Sequence, residues 1–534
     1  MPFTSSYFPY RSVHSFSAIA IDYVEGAEAL KPFYTYAPTI EGIKKAIDAR
    51  KQFDTDRQLL VDHLREQYRN LAITGKVEDN INSLLLDNTF TVTTAHQPNI
   101  FTGHLYFIYK ILHAIKLADE LKQRMPGNNF VPVYYMGSED ADLEELGEVY
   151  INGKYYRWET SQGGAVGRMK IDKAFIELIE GIHAQLGVDP HGDEILQKVK
   201  AAYTLDKTIE QATFEFVHEL FKTYGLLILL PDAQKLKASF IPVIEKELAE
   251  QFSAKAVEET MSQFPEQYKI QAAGREINLF YLEEGKRERI ERIGDDKWVL
   301  ADHSREWSNN SLLKELKDNP RAFSPNVILR PVFQEWILPN VAFIGGGGEL
   351  AYWLELKNVF AAAGVPYPVL LLRNSFGIVN KKTAEKIASL DMTAEDFFQP
   401  AAALLDRIIR KHSKVQLELT AEKEKLAALY AQISAVAGAA DPTLEKHVTA
   451  LQLGAAKKIG RLEKKIYSAE KKRFEAQQRR IETIRASLYP EGNLQERVDN
   501  LLPWYAVYGP GFIEMLYSHS LSLGQQFGLL QEVV

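Results

Sequence analysis

The sequence predicts an α/β protein, an open parallel sheet wound with helices and joined to an α-helical antiparallel coiled-coil domain. Three observations predict it. Short apolar runs alternate with helical patterns from about residue 90 to 372, the mark of a doubly wound sheet. Those runs are bounded by Gly, Pro or polar residues, as buried parallel strands are. After about residue 380 the composition turns to Ala, Leu, Glu, Lys and Gln, with apolar residues three or four apart.

In chain order, residues 1 to about 88 read as mostly helical after a short extended start. Ile43, Ile47, Leu59, Leu60 and Leu64 are available for a buried face. Strand signals follow at Thr91–Thr94, Phe130–Met136, Leu226–Leu230, Val327–Val332, Val341–Ile344 and Val369–Leu372. Two segments read as insertions. Tyr150–Asp172 suggests a hairpin turning at Gly163-Gly164, and Ile277–Ala301 suggests an antiparallel pair; Lys173–Thr223 between them is helical. Insertions leave a core sheet intact and build walls around its ligand crevice. In the helical region, Leu426, Leu429, Ile433 and Val436 form one seam. Leu444, Val448, Leu451, Ala455, Ile459, Leu462 and Ile466 form another. Between them Gly438 offers a helix stop, Asp441 an N-cap and Pro442 a first helical residue. This predicts a helical hairpin that pairs with a second copy, a homodimer; a bundle packed on its own core is the alternative. The expected domains are 1–380, with insertions near 150–223 and 270–320, then 381–500, then a 501–534 segment packing back on the core.

The formal net charge of −8 argues against a nucleic-acid binder. The chain has no cysteine, which removes disulfides, thiolate metal sites and a cysteine nucleophile. No apolar run approaches the ~20 residues of a membrane span, and no signal peptide is evident. A cytoplasmic protein that does not enter a membrane is expected.

Ligands of an open α/β sheet bind where strand carboxyl ends turn into helices, and four such junctions carry chemistry. The first is Ala95-His96-Gln97-Pro98-Asn99, followed by Thr102-Gly103-His104 and a helix bearing Tyr106 and Lys110. Thr102 as a cap and Gly103 as a point of close approach would leave helix N–H groups for an anion. Each histidine reads equally well as a hydrogen-bonded structural residue. The second is Ser138-Glu139-Asp140-Ala141-Asp142-Leu143-Glu144-Glu145. Its carboxylates, Asp140 and Asp142 before Glu144 and Glu145, could hold an amine, bind a metal or act as general base, or simply serve a helix first turn capped by Ser138. The third, Asn326 to Glu335, places Arg330 among apolar residues, where it needs a structural carboxylate or a ligand; Gln334 and Glu335 follow it. The fourth is Gly345-Gly346-Gly347-Gly348-Glu349 with Tyr352 and Trp353, glycines that let backbone approach a ligand. It has neither the Lys-Ser/Thr ending of a P-loop nor a dinucleotide fingerprint.

Four segments together, HQPNIFTGHLYFIYK, YYMGSEDADLEE, SPNVILRPVFQEWILPNVAFIGGGGELAYW and the late helical hairpin, resemble the BshC family, the cysteine ligases assigned to bacillithiol biosynthesis. The resemblance runs over essentially the whole chain. It implies a Rossmann-like core with connective-peptide insertions and a dimerising coiled coil. It also implies a ligase that adds cysteine to glucosaminyl-malate. A carboxylate is a poor acyl donor, which leaves ATP or another nucleotide as the activating co-substrate; no Lys-Met-Ser-Lys-Ser loop is present and no metal is predicted. On this reading Asp140, Asp142 and His96 are catalytic. Gln97, Asn99, Thr102, Gly103, His104, Tyr106, Lys110, Asn326, Arg330, Gln334, Glu335, Gly345, Gly347, Gly348, Glu349, Tyr352 and Trp353 bind substrate or nucleotide. The rival reading is a non-catalytic small-ligand-binding protein whose coiled coil recruits partners.

Overall fold

The computed structural model describes residues 3–272 and 274–533. Two compact units are present. One comprises Met1–Gly377 with Asn493–Leu530, the other Ile378–Gly492 with the last residues from Gln531. The return to the first unit thus begins at Asn493, eight residues before the start expected at 501, and the last few residues group with the second unit.

The first unit is built on five strands: β1 (Thr89–His96), β2 (Asn129–Met136), β3 (Leu227–Leu229), β4 (Asn340–Gly345) and β5 (Val369–Leu372). Their order is β5-β4-β1-β2-β3, and every pairing is parallel. This is the Rossmann-like sheet expected. All eight residues of β1 are buried, which is why its sequence does not alternate. Helix α1 (Leu105–Arg124) packs against β1 and β2, and the Ile40–Arg50 helix against β4 and β5. Ile43, Ile47, Phe90, Val92, Leu117, Phe130, Ile344 and Leu371 join them in one apolar cluster.

The chain runs outward from β1 to β3 on one side and from β4 to β5 on the other. The order therefore reverses between β1 and β4, and the crevice at their carboxyl ends is the place where ligands bind in such sheets.

Three expectations differ from the structure. Val327–Val332 is not a strand. Asn326 Oδ1 accepts from the N–H groups of Ile328 and Leu329, and α2 (Leu329–Ile337) follows. Pro331 sits in its first turn, where the missing N–H costs nothing. The first insertion's hairpin turns at Asn152-Gly153, both with positive φ, between Glu148–Ile151 and Lys154–Arg157; Asn-Gly is the favoured residue pair for that turn. Gly163-Gly164 instead lies against Gly285, where an added Cβ would come within 2.9 Å of backbone. The second insertion is larger than a pair. Leu279–Glu283, Lys286–Arg292, Trp298–Leu300, Glu306–Trp307 and Phe323–Pro325 form one antiparallel sheet.

Helix α3 (Gly347–Glu355) follows β4. In the second unit, α4 (Thr420–Ala440) and α5 (Leu444–Lys472) form the antiparallel hairpin. Lys423, near the start of α4, pairs with Glu463, late in α5, at 2.6 Å. Helix α4 runs through Gly438, and Asp441 accepts from Thr443 N–H and Oγ1 at 2.8 Å in the turn. No helix among the described residues is long and apolar enough to cross a membrane.

A buried polar cluster fixes β4 to β1 at their amino ends. Arg50 pairs with Glu335 at 3.0 Å and donates to the carbonyls of Glu335 and Asn340. Asn340 Nδ2 donates to Glu335 Oε1, while its Oδ1 accepts from Thr91 and Thr93. At the far end of the chain, Asp499 O accepts from Leu105 N–H at 2.8 Å. Asn500 Nδ2 donates to the carbonyls of Phe101 and Gly103.

Two outcomes follow. Glu335→Ala leaves the Arg50 charge buried and unpaired, and stability should fall by about 3–5 kcal/mol, with Glu335→Gln less damaging because it keeps an acceptor for Asn340. Denaturant unfolding measures both, and an unchanged midpoint for Glu335→Ala would contradict the assignment. Asp499, pushed up to about 7 by burial, holds its proton more tightly folded than unfolded. Its contribution to stability is complete below its unfolded value and is lost as pH rises through about 7. Melting curves between about pH 5 and about pH 8 should therefore decline less steeply in Asp499→Asn than in the unsubstituted chain.

Candidate active site

At the carboxyl ends of the five strands lies a cavity of about 580 Å³. His96 and Gln97 come from β1, Glu139 and Asp140 from β2, Pro231 from β3, Gly346–Gly348 and Glu349 from β4, and Arg373 from β5. Helix α1 adds Tyr106 and Lys110, α2 and the turn before it Arg330 and Asn326, and α3 Tyr352. The inserted segment contributes Arg275 and Arg287, and the returning segment Arg497.

The acidic side is ordered by neutral donors. Gln97 Nε2 donates to Asp140 Oδ2 at 3.1 Å, and Ala141 N–H to Asp140 Oδ1 at 2.8 Å. Asp142 belongs elsewhere: it is exposed and caps the short Leu143–Leu146 helix by accepting from Glu145 N–H. The cap is thus Asp142 rather than Ser138, and Glu144 and Glu145 fill the helix first turn. Glu145 reaches the cavity wall, and burial raises its carboxyl above the usual range.

The basic side is a set of fixed charges. Lys110 is buried, ion-paired with Glu349 and donates to Ala95 O at 3.0 Å. Burial lowers its ammonium, while Glu349 opposes that. Glu349 Oε2 also accepts from Gly346 N–H at 2.8 Å, which holds the start of α3 against the cavity. Arg330 Nη2 donates to the Tyr352 hydroxyl at 2.7 Å, and Nη1, though buried, meets no protein acceptor. Arg373 donates to Glu496 at 2.7 Å and to Ser375 Oγ at 2.9 Å, leaving its buried Nε without one. An unsatisfied buried donor is costly, so these nitrogens are suited to a ligand oxyanion. The amino end of α3 adds Gly347 and Gly348, at first-turn positions whose N–H groups have no intrahelical acceptor.

His96 sits in this wall with its ring stacked on Phe107 at 5.0 Å and its Nε2 without a protein partner. Burial first, and then Lys110, hold it well below the usual imidazole range. It is therefore a neutral ring, able to donate or accept a hydrogen bond but carrying no charge for an anion.

Eleven of the residues singled out in the sequence meet here: His96, Gln97, Tyr106, Lys110, Asp140, Asn326, Arg330, Gly347, Gly348, Glu349 and Tyr352. Others do not. Phe101 and Thr102 adopt positive φ, and α1 starts only at Leu105 with His104 before it. Thr102 caps nothing, Gly103 N–H donates to Ile100 O, and Leu105 N–H to Asp499 O. Gly103 N–H and Leu105 N–H are thus already taken by protein carbonyls. Asn99 lies under Gly103, and a Cβ on that glycine would come within 2.8 Å of it. His104 Nδ1 lies 3.3 Å from Val498 O. Gln334 and Glu335 belong to the buried cluster at the opposite end of the sheet. Gly345 O accepts from Arg373 N–H, and Trp353 is core, stacked on Phe343 at 4.2 Å. Glu139 of the second junction is also in the wall, and Arg275, Arg287, Arg373 and Arg497 are wall residues to which the sequence assigned no role. Arg373 immediately follows β5 and was within reach of the strand-end rule.

Two family models cover the chain. Residues 5–374 match the N-terminal Rossmann-like domain of bacillithiol biosynthesis BshC. Residues 376–532 match its C-terminal coiled-coil domain. The structure places Asn493–Leu530 of the second match with the first unit. Relatives named "Putative cysteine ligase BshC" occur in Flavobacterium johnsoniae, 37% identical over 98% of both chains, and in Flavobacterium psychrophilum, 36% identical over 98% of both. One from Christiangramia forsetii is 36% identical over 98% of both chains. With both domain models matched in order and relatives of equal span, the chain belongs to the BshC family of bacillithiol biosynthesis.

Proposed function

We propose that the chain is a ligase that joins the carboxyl of cysteine to the amine of glucosaminyl-malate through an amide bond. The observation that carries this is the cavity's division of charge. Asp140 and Glu139 after β2 suit an amine, and Arg330 and Arg373, with buried nitrogens lacking protein acceptors, suit carboxylate or phosphate.

The chain's own groups supply orientation and proton transfer. Asp140, oriented by Gln97 and Ala141 N–H, accepts the proton that the amine must lose before it attacks the acyl carbon. Arg330, braced by Tyr352, holds a malate carboxylate. Neutral His96 offers a hydrogen bond to the leaving group. Arg373 and the first turn of α3 fit the oxyanions of a nucleotide, whose chemistry would be to convert the carboxylate into an acyl donor with a good leaving group.

The family role also brings the second unit into the proposal. On α4 and α5, Leu429 is 52% exposed, Val436 75% and Leu451 50%. A two-helix hairpin cannot cover such a seam by itself, and a second copy would complete it as a homodimer. A cytoplasmic location is part of the same reading.

Asp140→Asn should lower turnover by about 10²–10⁴-fold with little change in melting temperature. Product is read by mass spectrometry after mixing purified chain, cysteine, glucosaminyl-malate and ATP. Phosphate and pyrophosphate release in the same mixture identifies the activation step, and absence of product with any nucleotide would remove the ligase reading. Leu429→Glu with Ile433→Glu should halve the mass measured by light scattering; an unchanged mass would place the dimer contact elsewhere.

A further inference from the structure

Arg287 stands on the inserted sheet and faces the β2 side of the cavity. Its guanidinium lies 3.8 Å from the centre of the Phe280 ring, and its buried Nε has no protein acceptor. Asp140 and Glu139 are close enough to act on it electrostatically, yet it forms no ion pair with either among the described residues. Both carboxylates are held back by other partners. Asp140 is fixed by Gln97 and Ala141 N–H.

Glu139, 8% exposed, is ion-paired with Lys237. That lysine is itself buried, 3.1 Å from Asp232, and donates to Arg321 O at 2.9 Å. Asp232 in turn accepts two hydrogen bonds from Arg168, at 2.7 and 2.8 Å, and one from Arg321 at 3.2 Å. The network ties Glu139 to the segment after β3 and keeps its carboxylate from swinging to Arg287. With Asp140 assigned to the acceptor amine, the wall still presents one anchored carboxylate, Glu139, and one arginine, Arg287, that do not neutralise each other. A ligand that satisfies both carries an ammonium and a carboxylate a few bonds apart.

We propose that this corner is an α-amino-acid subsite, in which Glu139 takes the ammonium, Arg287 takes the carboxylate, and Lys237 and Asp232 are positioning residues for Glu139. That the amino acid is cysteine rests on the ligase reading; the subsite itself does not.

Calorimetric titration tests it, with L-cysteine, L-serine, cysteamine (no carboxylate) and 3-mercaptopropionate (no ammonium), each with and without ATP. The unsubstituted chain should prefer cysteine over both truncated thiols by about tenfold or more, the scale of one charge-assisted hydrogen bond. Arg287→Gln should erase the preference over cysteamine and keep that over 3-mercaptopropionate. Glu139→Gln should do the reverse. Arg287→Lys, which keeps the charge, should retain part of the first preference. Melting curves establish that each variant is folded, and if Arg287→Gln is not, Glu139→Gln and Arg287→Lys carry the test. A folded Arg287→Gln or Glu139→Gln that keeps both preferences overturns the proposal. So does a chain that binds no amino acid, even if it makes product. Equal, Arg287-dependent binding of serine and cysteine in a chain that makes no bacillithiol would uphold the subsite and sink the cysteine-ligase reading.

Discussion

The contact on which this site depends lies at the far end of the sheet from it. The crevice exists because β1 and β4 run side by side while their connections leave in opposite directions. That pairing carries a bulge at Asn340. Asn340 bridges Thr91 and Thr93 on β1 to Glu335 at the end of α2, and Arg50 closes the cluster from below. A slip of one residue in a strand turns its side chains to the other face. It would also move the Gly346–Glu349 loop away from Lys110. A charge pair in such a place is a poor source of net stability, since desolvation offsets most of the attraction. Its geometry, with every Glu335 oxygen accepting from a named donor, instead specifies one register.

With the register fixed, each parallel strand delivers its next few residues to one cavity, and the character of each loop follows from what its neighbours leave unsatisfied. Lys110 cannot be buried alone, so it draws Glu349 across from β4, and Glu349 then anchors the Gly346 backbone. Lys110 also makes a second positive charge nearby unfavourable, which helps keep His96 neutral. The cationic work of the site therefore falls to Arg287, Arg330 and Arg373. Guanidinium groups stay charged when buried and offer donors in a fixed fork.

How much of this was legible in the sequence depended on how local its cause was. The five core strands, the helical hairpin and the loops after β1, β2 and β4 could be read because apolar runs and polar junctions are properties of short segments. Arg330 was seen to need a partner, but the apolar run from Val327 to Val332 concealed a helix announced by Asn326 and Pro331. Thr102-Gly103 looked like a helix start because a small polar residue and a glycine precede an amphipathic run. What denies it that role is Asp499 and Asn500, almost four hundred positions later, which take up its donors and carbonyls. Glu335 and Asp140 are both acidic residues near strands; only the three-dimensional register separates a structural carboxylate at the amino end from a site carboxylate at the carboxyl end. Arg287 and Arg497 come from an insertion and from the returning tail, and no short window of sequence brings either near His96.

The guanidiniums also say something about the energetics of the empty and filled cavity. Arg287 Nε, Arg330 Nη1 and Arg373 Nε are three buried donors without a protein acceptor. Each such group costs about 1–3 kcal/mol relative to a satisfied one. Folding tolerates the cost because the remaining nitrogens are tied down, Arg330 to Tyr352 and Arg373 to Glu496 and Ser375. An oxyanion that meets these nitrogens recovers that free energy without ordering new side chains, since the forks already stand in place. Binding strength then comes from strain relieved more than from contacts added. Discrimination follows from the same arrangement. A ligand lacking one anionic group leaves one donor as unsatisfied as it was before, and pays its own desolvation for nothing in return.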